Sequence, residues 1–100
     1  MKKTSYKMEA KVWLYPGINP WHFISIPKKK AEEIRKNFGS RHRGWSSLPV
    51  IVQIGKTIWK TSIFYERRSG TYILPLKSEV RKKEDIFKGD KISFLIQIKV

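Results

Sequence analysis

The sequence predicts a mainly β fold: one small barrel of six or seven strands with two short helices, built from two similar halves. Apolar and polar residues alternate in runs of strand length, and tight turns join these runs, which favours a closed antiparallel barrel. One pattern also nearly occurs twice, as HFISIPKKKAEEI at residues 22–34 and TYILPLKSEVRKK at residues 71–83. Each copy is an apolar run, a proline and a basic stretch with helical spacing, and a second apolar run follows it. We therefore expect a pseudo-duplicated barrel.

The first half of the chain predicts two strands and a helix. From Tyr6 to Leu14 apolar residues occupy every second position, until Pro16 and Gly17 break the strand. A second strand covers residues 21–26 and stops at Pro27, a residue that suits the first turn of a helix. Gly39 is the expected C-terminal cap of that helix. Three apolar residues share the helical face that we expect to be buried: Ala31, Ile34 and Phe38.

The second half predicts a hairpin, a short strand, a second helix and a last strand. Residues 48–54 and 57–65 are strands joined by a Gly-X turn at Gly55 and Lys56. The strand at residues 71–74 ends before Pro75, and we expect Ser78 to cap a helix that reaches about Asp85, with Val80 facing inward. Residues 88–90 turn the chain into a strand over residues 92–98. Strand alternation predicts a core that includes Trp59, Ile63, Ile92, Phe94 and Ile96.

Composition limits the class of protein. A chain of 100 residues is long enough for one domain with its own core, and we assign residues 1–100 to a single domain. The chain has no cysteine, which excludes disulfides and cysteine-based zinc sites and is compatible with the cytoplasm. The apolar runs are of strand length, far below a membrane span. We expect a cytoplasmic protein that does not enter a membrane.

The net charge is strongly positive. The chain has 22 Lys and Arg residues against 8 acidic ones, which gives a formal charge of +14, and each half contributes 11 of the basic residues. A folded body with this charge attracts polyanions, most often nucleic acid. The alternative is compositional drift in an AT-rich genome, an interpretation that the 16 lysines favour.

The candidate nucleic-acid-binding residues lie in two loops and at the start of the first helix. Four of the six arginines are in the loops at residues 39–47 and 66–70, and the planar guanidinium group suits phosphate. Three lysines at a helix start oppose the helix dipole, which favours an external anion such as phosphate, although ordinary solvated charge is the commoner reason for such a run. If the indole at position 45 is exposed, it can stack on a base. We favour the alternative, in which this ring packs across one end of the barrel. The candidates are Arg41, Arg43, Arg67, Arg68, Lys28, Lys29, Lys30 and Trp45.

The sequence shows no catalytic motif, and we expect neither an enzyme nor a bound cofactor or metal. The two histidines, His22 and His42, lack a carboxylate or a second histidine at metal-ligand spacing. We expect His22 to pack within a strand. His42 lies between two arginines, which should favour its neutral form and leave it a hydrogen-bonding or stacking group. Five acidic residues alternate with bases at helical spacing and are interpreted as intrahelical partners: Glu32, Glu33, Glu79, Glu84 and Asp85.

Two resemblances carry expectations about the fold. Leu74-Pro75-x4-Val80-Arg81 followed by Lys88-Gly89-Asp90-Lys91 resembles the AbrB and MazE type of swapped-hairpin barrel. Four further motifs are similar to a bacterial and archaeal family of unknown function, whose members occur alone or fused to YdeI-type, OmpD-associated domains. These motifs are Trp21-His22-Phe23-Ile24-x-Ile26-Pro27, Gly44-Trp45-x-Ser47-Leu48-Pro49-Val50, Ile54-Gly55-x3-Trp59-Lys60-Thr61-Ser62 and Tyr72-x-Leu74-Pro75-Leu76.

The second resemblance implies a double-split β-barrel in which one chain supplies both halves that AbrB-type proteins assemble from two subunits. It implies no function. The two copies also differ, because Lys28-Lys29-Lys30 stands where the second copy has Leu76-Lys77-Ser78, and the first copy lacks the Gly-Asp turn. A diverged pair need not keep the DNA-binding face of a symmetric dimer.

Two functions follow from the sequence. The first is a monomeric binding or regulatory module for DNA or RNA that uses basic helices and loops. The second is a structural or protein-interaction domain with an unidentified protein partner, whose charge results from drift. A steep loss of polyanion binding with salt favours the first, and weak, sequence-indifferent binding favours the second.

Overall fold

The computed structural model of the chain describes residues 3–17 and 20–100. Within them, six strands close into a barrel in the order β1-β2-β5-β4-β3-β6, and every pair of neighbours is antiparallel. The mainly β barrel is confirmed, with the smaller of the two predicted strand numbers. The strands are β1 Ser5–Tyr15, β2 Trp21–Ser25, β3 Ser47–Ile54, β4 Thr57–Glu66, β5 Thr71–Pro75 and β6 Lys91–Ile98.

Two short helices follow the two prolines that the sequence singled out. Helix α1 spans Lys28–Phe38 with Pro27 at its N-cap, and a 3₁₀ turn, Gly39–Arg41, continues from it. Helix α2 spans Ser78–Glu84. The predicted capping by Ser78 is wrong, because Lys77 holds the N-cap position and no side chain caps the helix there. Helix α2 ends at Glu84, since the next residue, Asp85, adopts a left-handed conformation with φ 55°.

The acidic residues of α2 have different partners. Glu79 forms the predicted intrahelical ion pair with Lys83 at 3.3 Å. Glu84 instead accepts a hydrogen bond of 2.6 Å from the Thr57 hydroxyl, at the start of β4. This contact attaches the end of α2 to the β3–β4 hairpin, where Gly55 has the positive φ of 56° that its turn requires.

The two halves of the chain occupy equivalent places in the barrel. The order β1-β2-α1-β3 recurs as β4-β5-α2-β6, and exchanging the halves leaves every strand neighbour unchanged. The backbone shows the same exchange around β2 and β5. Ile26 donates its N–H to the Tyr72 carbonyl, and Leu76 donates its N–H to the His22 carbonyl, both at 2.9 Å. The predicted duplication is therefore present in the topology as well as in the sequence.

The core fills the barrel and extends beneath both helices. Ile63, Ile92, Phe94 and Ile96 are buried as predicted, together with Ala31, Ile34 and Phe38 of α1 and Val80 of α2. Trp59 is only half-buried and packs against the edge of this core. Trp59 lies close to the β3–β4 hairpin, at one end of the barrel, where fewer residues cover its side chain. Strand alternation therefore predicted the direction of this side chain correctly but overestimated its burial.

The antiparallel order gives the barrel two ends that differ in what covers them. The starts of β1, β3 and β5 and the ends of β2, β4 and β6 meet at one end, which we call the α1 end because α1 connects β2 to β3 there. The opposite strand termini meet at the other end, the α2 end, where α2 connects β5 to β6. Every loop therefore belongs to one end or the other.

Candidate nucleic-acid interface

The two arginine-bearing loops lie at the same end of the barrel. Arg43 and Ser47 form a two-way backbone bridge, with N···O distances of 2.8 and 3.3 Å, just before β3 begins. Ser47 then pairs with Phe64, two residues before β4 ends. The loop that carries Arg41 and Arg43 therefore lies at the α1 end, as does the β4–β5 turn that carries the other two arginines.

All four loop arginines are exposed: Arg41, Arg43, Arg67 and Arg68. In the part of the chain that the structure describes, the side-chain ion pairs are Lys83–Glu79 and Lys91–Glu9, so none of the four arginines pairs with a carboxylate. Glu66, the acid nearest to them in sequence, instead accepts a hydrogen bond of 2.6 Å from the Ser69 hydroxyl. The guanidinium charges therefore face solvent.

The three lysines of α1 begin at the same end, next to the β4–β5 turn. The Thr71 hydroxyl, at the start of β5, donates a hydrogen bond to the Ile26 carbonyl, two residues before Lys28. Lys28 and Lys29 are exposed and Lys30 is half-buried, and the first turn of α1 contains no acid. The structure thus brings all the predicted basic candidates to one end of the barrel.

Trp45 projects into solvent, and the packing that we favoured for it is wrong. Its side chain is 90% exposed, and it lies in the 3₁₀ turn Gly44–Ser46, where Trp45 and Ser46 have positive φ angles of 63° and 52°. The Ser47 hydroxyl donates a hydrogen bond of 2.7 Å to the Gly44 carbonyl and closes this turn. Left-handed backbone is costly for a bulky residue and is typical of functional sites. The indole is available to a ligand.

A network of polar and aromatic side chains contacts the loop at residues 39–46 and the strands next to it. Arg35 of α1 donates a hydrogen bond of 2.9 Å to the Tyr65 hydroxyl, with its guanidinium carbon 4.3 Å from the centre of that ring. His42 stacks on Tyr65, and its Nε2 lies 2.6 Å from the buried Tyr72 hydroxyl. His42 thus attaches the loop at residues 39–46 to β4 and β5, and Arg35 attaches α1 to the same Tyr65, so that Arg41 and Arg43 flank an anchored histidine.

Burial, followed by the nearby charge of Arg35, lowers the pKa of His42 below its usual value. The sequence predicted the neutral form correctly but attributed it to Arg41 and Arg43. The network also shows why His42 is a hydrogen-bonding and stacking group, as expected: its partners come from strands about 20 to 30 residues away along the chain.

A second surface, which the sequence analysis missed, lies on the outside of β1, β2, β4 and β5. We call it the aromatic face and define it by Trp13, Tyr15, Trp21, Phe23, Phe64, Ile73 and Pro75. Six of these residues line a shallow groove of about 400 Å³ that is almost entirely apolar. The alternation of β1 and β2 contains the signal for it, because bulky aromatic residues occupy positions that point away from the core.

The rings of the aromatic face contact one another and remain open to solvent. Phe23 lies 5.2 Å from Trp13 and 6.4 Å from Trp21 between ring centres, and the Trp21 pair is nearly parallel at 18°. Trp21 is 61% exposed and Tyr15 is 51% exposed. The Trp13 Nε1 donates a hydrogen bond of 2.9 Å to the Ser25 hydroxyl, which attaches that indole to β2.

His22 is half-buried in β2, as expected for a packed histidine. Burial, and then the charge of Arg81, lower the pKa of its imidazole. Among the described residues its buried Nδ1 has no hydrogen-bond partner. Its ring lines a cavity of about 530 Å³ with Arg81, Lys82 and Asp85 at the α2 end.

The described residues contain no group of three or more metal-ligating side chains and no helix long and apolar enough to cross a membrane.

The fold and its surfaces thus define a class: a strongly basic antiparallel barrel with a helix at each end and exposed aromatic rings. Over residues 9–96 the chain matches the family model described as a domain of unknown function (DUF1905), and it belongs to that family. A search of curated proteins finds no match.

Proposed function

We propose that this protein is a monomeric, non-catalytic module that binds nucleic acid with its α1 end. One observation carries the proposal: two loops far apart in sequence bring four exposed arginines, unpaired with any described carboxylate, to one end of a barrel of charge +14. Arginine binds phosphate through a planar fork of donors, which makes it the basic residue best suited to a phosphate backbone.

The surroundings of the arginines support the same function. Lys28 and Lys29 add positive charge beside the β4–β5 turn. At an ionic strength of 0.1 M charges interact over about 10 Å, so adjacent loops present one positive field to a polyanion. The exposed indole of Trp45 lies between Arg43 and β3 and offers a ring on which a base can stack.

Four further expectations accompany the proposal. The likeness to AbrB-type barrels and the fusion to other domains stay predictions, and the binding argument does not depend on them. The cytoplasmic location expected from the cysteine-free composition also stays a prediction. The monomeric state is part of this proposal, and it is supported by the closed barrel, in which one chain provides both equivalent halves.

The test is a salt series of binding with two matched charge variants. The first replaces Arg67 and Arg68 by Ala at the α1 end, and the second replaces Lys56 and Lys88 by Ala at the α2 end. All four residues are exposed, and both variants lose two positive charges. Affinities for labelled DNA and RNA are measured from about 50 to 200 mM salt, the range over which added salt strongly weakens binding that depends on phosphate contacts.

We expect the arginine variant to bind every sequence more weakly. Its plot of log affinity against log salt should flatten by about one unit for each phosphate that the variant no longer binds, while the lysine variant keeps the parent slope. Equal slopes for both variants would refute an arginine site at the α1 end. Weak binding with a shallow slope in the parent itself would instead favour the alternative, a protein-interaction domain whose charge results from drift.

A further inference from the structure

We infer that the ligand is a single-stranded nucleic acid and that its bases stack on the aromatic face. This inference rests on the proposed function and extends it from the α1 end to the outer surface of β1, β2, β4 and β5. Four of the residues that line the groove are aromatic, and two of them, Trp21 and Tyr15, are more than half exposed. Every base has a π-face, so a row of such rings binds bases without requiring a particular sequence.

One edge of the aromatic face lies next to the arginine-bearing loops of the α1 end. Phe64, at one edge of the face, pairs with Ser47, the residue that directly follows the turn containing Trp45. Arg67 follows Phe64 by three residues, just beyond the end of β4. A single-stranded nucleic acid whose phosphates contact the arginines of the α1 end can therefore place its next bases on Phe64, the nearest residue of the aromatic face.

The opposite edge of the face also meets positive charge. Trp21 shares a cavity of about 330 Å³ with Lys77 and Arg81 at the α2 end. The face thus has aromatic rings along its middle and cations at both edges. Proteins that bind single strands combine these two features, a positive groove for the backbone and rings for the bases.

A duplex does not fit this surface, because its bases are stacked on each other and their faces are not accessible to side chains on the outside of a barrel. A second copy of the chain fits poorly as well. Self-association through the aromatic face would bring two bodies of charge +14 together, and like charge opposes that association. A single strand supplies both exposed base faces and the opposite charge.

The experiment compares Trp21→Ala with Phe87→Ala. Trp21 is 61% exposed on the aromatic face, and Phe87 is 62% exposed on the turn before β6, outside the face, so the control removes an aromatic ring of matched exposure. Because both rings are exposed, we expect both variants to fold, which circular dichroism checks. The probes are a labelled 20-nucleotide oligo(dT) and a 20-base-pair duplex, each titrated at several salt concentrations.

We expect the parent to prefer oligo(dT) to the duplex. Trp21→Ala should weaken oligo(dT) binding about ten-fold with an unchanged salt slope, because the variant removes a stacking ring and keeps every phosphate-binding side chain. Trp21→Phe should restore much of the affinity, since it keeps an aromatic ring. Phe87→Ala should bind like the parent, and quenching of tryptophan fluorescence by oligo(dT) should be smaller in Trp21→Ala.

The other outcomes separate this inference from the proposed function. Equal affinity of parent and Trp21→Ala for oligo(dT), with binding that still depends on Arg67 and Arg68, would overturn the aromatic platform and leave the α1-end site standing. No binding of either probe at about 50 mM salt would overturn both. A parent that sediments as a dimer and becomes monomeric on Trp21→Ala would show that a second copy occupies the face, and it would overturn this inference.

Discussion

Raising the pH above 10 should weaken the fold, because folding keeps the Tyr72 hydroxyl protonated. Tyr72 is fully buried, and this burial raises the pKa of its hydroxyl from 10.0 to about 12, while the nearby charge of Arg35 acts in the opposite direction. A group whose pKa is higher in the folded state stabilises the fold below its unfolded pKa and loses that contribution as the pH rises through the folded value. The relevant window is therefore pH 10 to about 12.

The magnitude follows from the size of the shift. Each unit of pKa difference corresponds to about 1.36 kcal/mol, so Tyr72 alone should remove roughly 2–3 kcal/mol from the free energy of unfolding across this window. Burial also raises the pKa of Tyr6, which adds to the loss in the same direction. A small domain has about 5–15 kcal/mol of stability in total, so the expected loss is easily measured.

Tyr72→Phe isolates the contribution of this one hydroxyl. At neutral pH the variant lacks the hydrogen bond of 2.6 Å with His42 Nε2 and leaves that half-buried atom unpaired, which should cost about 1–3 kcal/mol. Above pH 10 the variant lacks the Tyr72 phenol, and only Tyr6 contributes a raised phenol pKa, so its stability should fall less steeply than that of the parent. The difference between the two proteins should therefore shrink as the pH approaches 12.

Urea denaturation followed by circular dichroism is measured at pH 7, 9, 10, 11 and about 12. The midpoints and slopes give the free energy of unfolding of the parent and of Tyr72→Phe as a function of pH. Tyr15→Phe is the control, because Tyr15 is half-exposed on the outside of the barrel and should leave the parent curve unchanged. Parallel curves for the parent and Tyr72→Phe above pH 10 would contradict the reasoning. They would mean that the buried hydroxyl does not control stability in this range.

Two further predictions concern the core and the assembly. Phe94 is buried in β6, so Phe94→Ala should cost roughly 3–5 kcal/mol, which a urea midpoint measures; a variant as stable as the parent would show that the residue does not fill the barrel interior. Because one chain closes the barrel, sedimentation should show a monomer and the unfolding midpoint should not depend on protein concentration; an obligate dimer at low micromolar concentration would contradict this.

The local pattern of the sequence was enough to predict the elements of the fold. Alternation, apolar runs and turn residues predicted six or seven strands, of which the structure has six, and the prolines at 27 and 75 lie where β2 and β5 are followed by helices. The helical spacing of Ile34 and Phe38 in α1 and the position of Val80 in α2 predicted which sides are buried. The near-repeat also predicted the two equivalent halves, because residues of similar pattern form similar local structure.

The sequence did not predict the conformation of single residues within the loops. Trp45 is the clearest case, because nothing in a loop of glycine, serine and arginine indicates that two consecutive residues adopt positive φ and expose the indole. The burial of Trp59 is a second case, since alternation assigns a direction to a side chain but not its distance from the end of the barrel.

By itself, then, the sequence determined which side of each strand is apolar, where the helices begin and how strongly the whole chain is charged. Only the tertiary structure decided which strands are neighbours. Pairing of β2 with β5 joins Phe23 to Pro75, and pairing of β4 with β5 joins Phe64 to Ile73, so residues about 50 positions apart form one aromatic face. Local periodicity cannot specify such contacts, because they depend on closure of the whole barrel, and closure also brought the arginines of two separate loops to the same end.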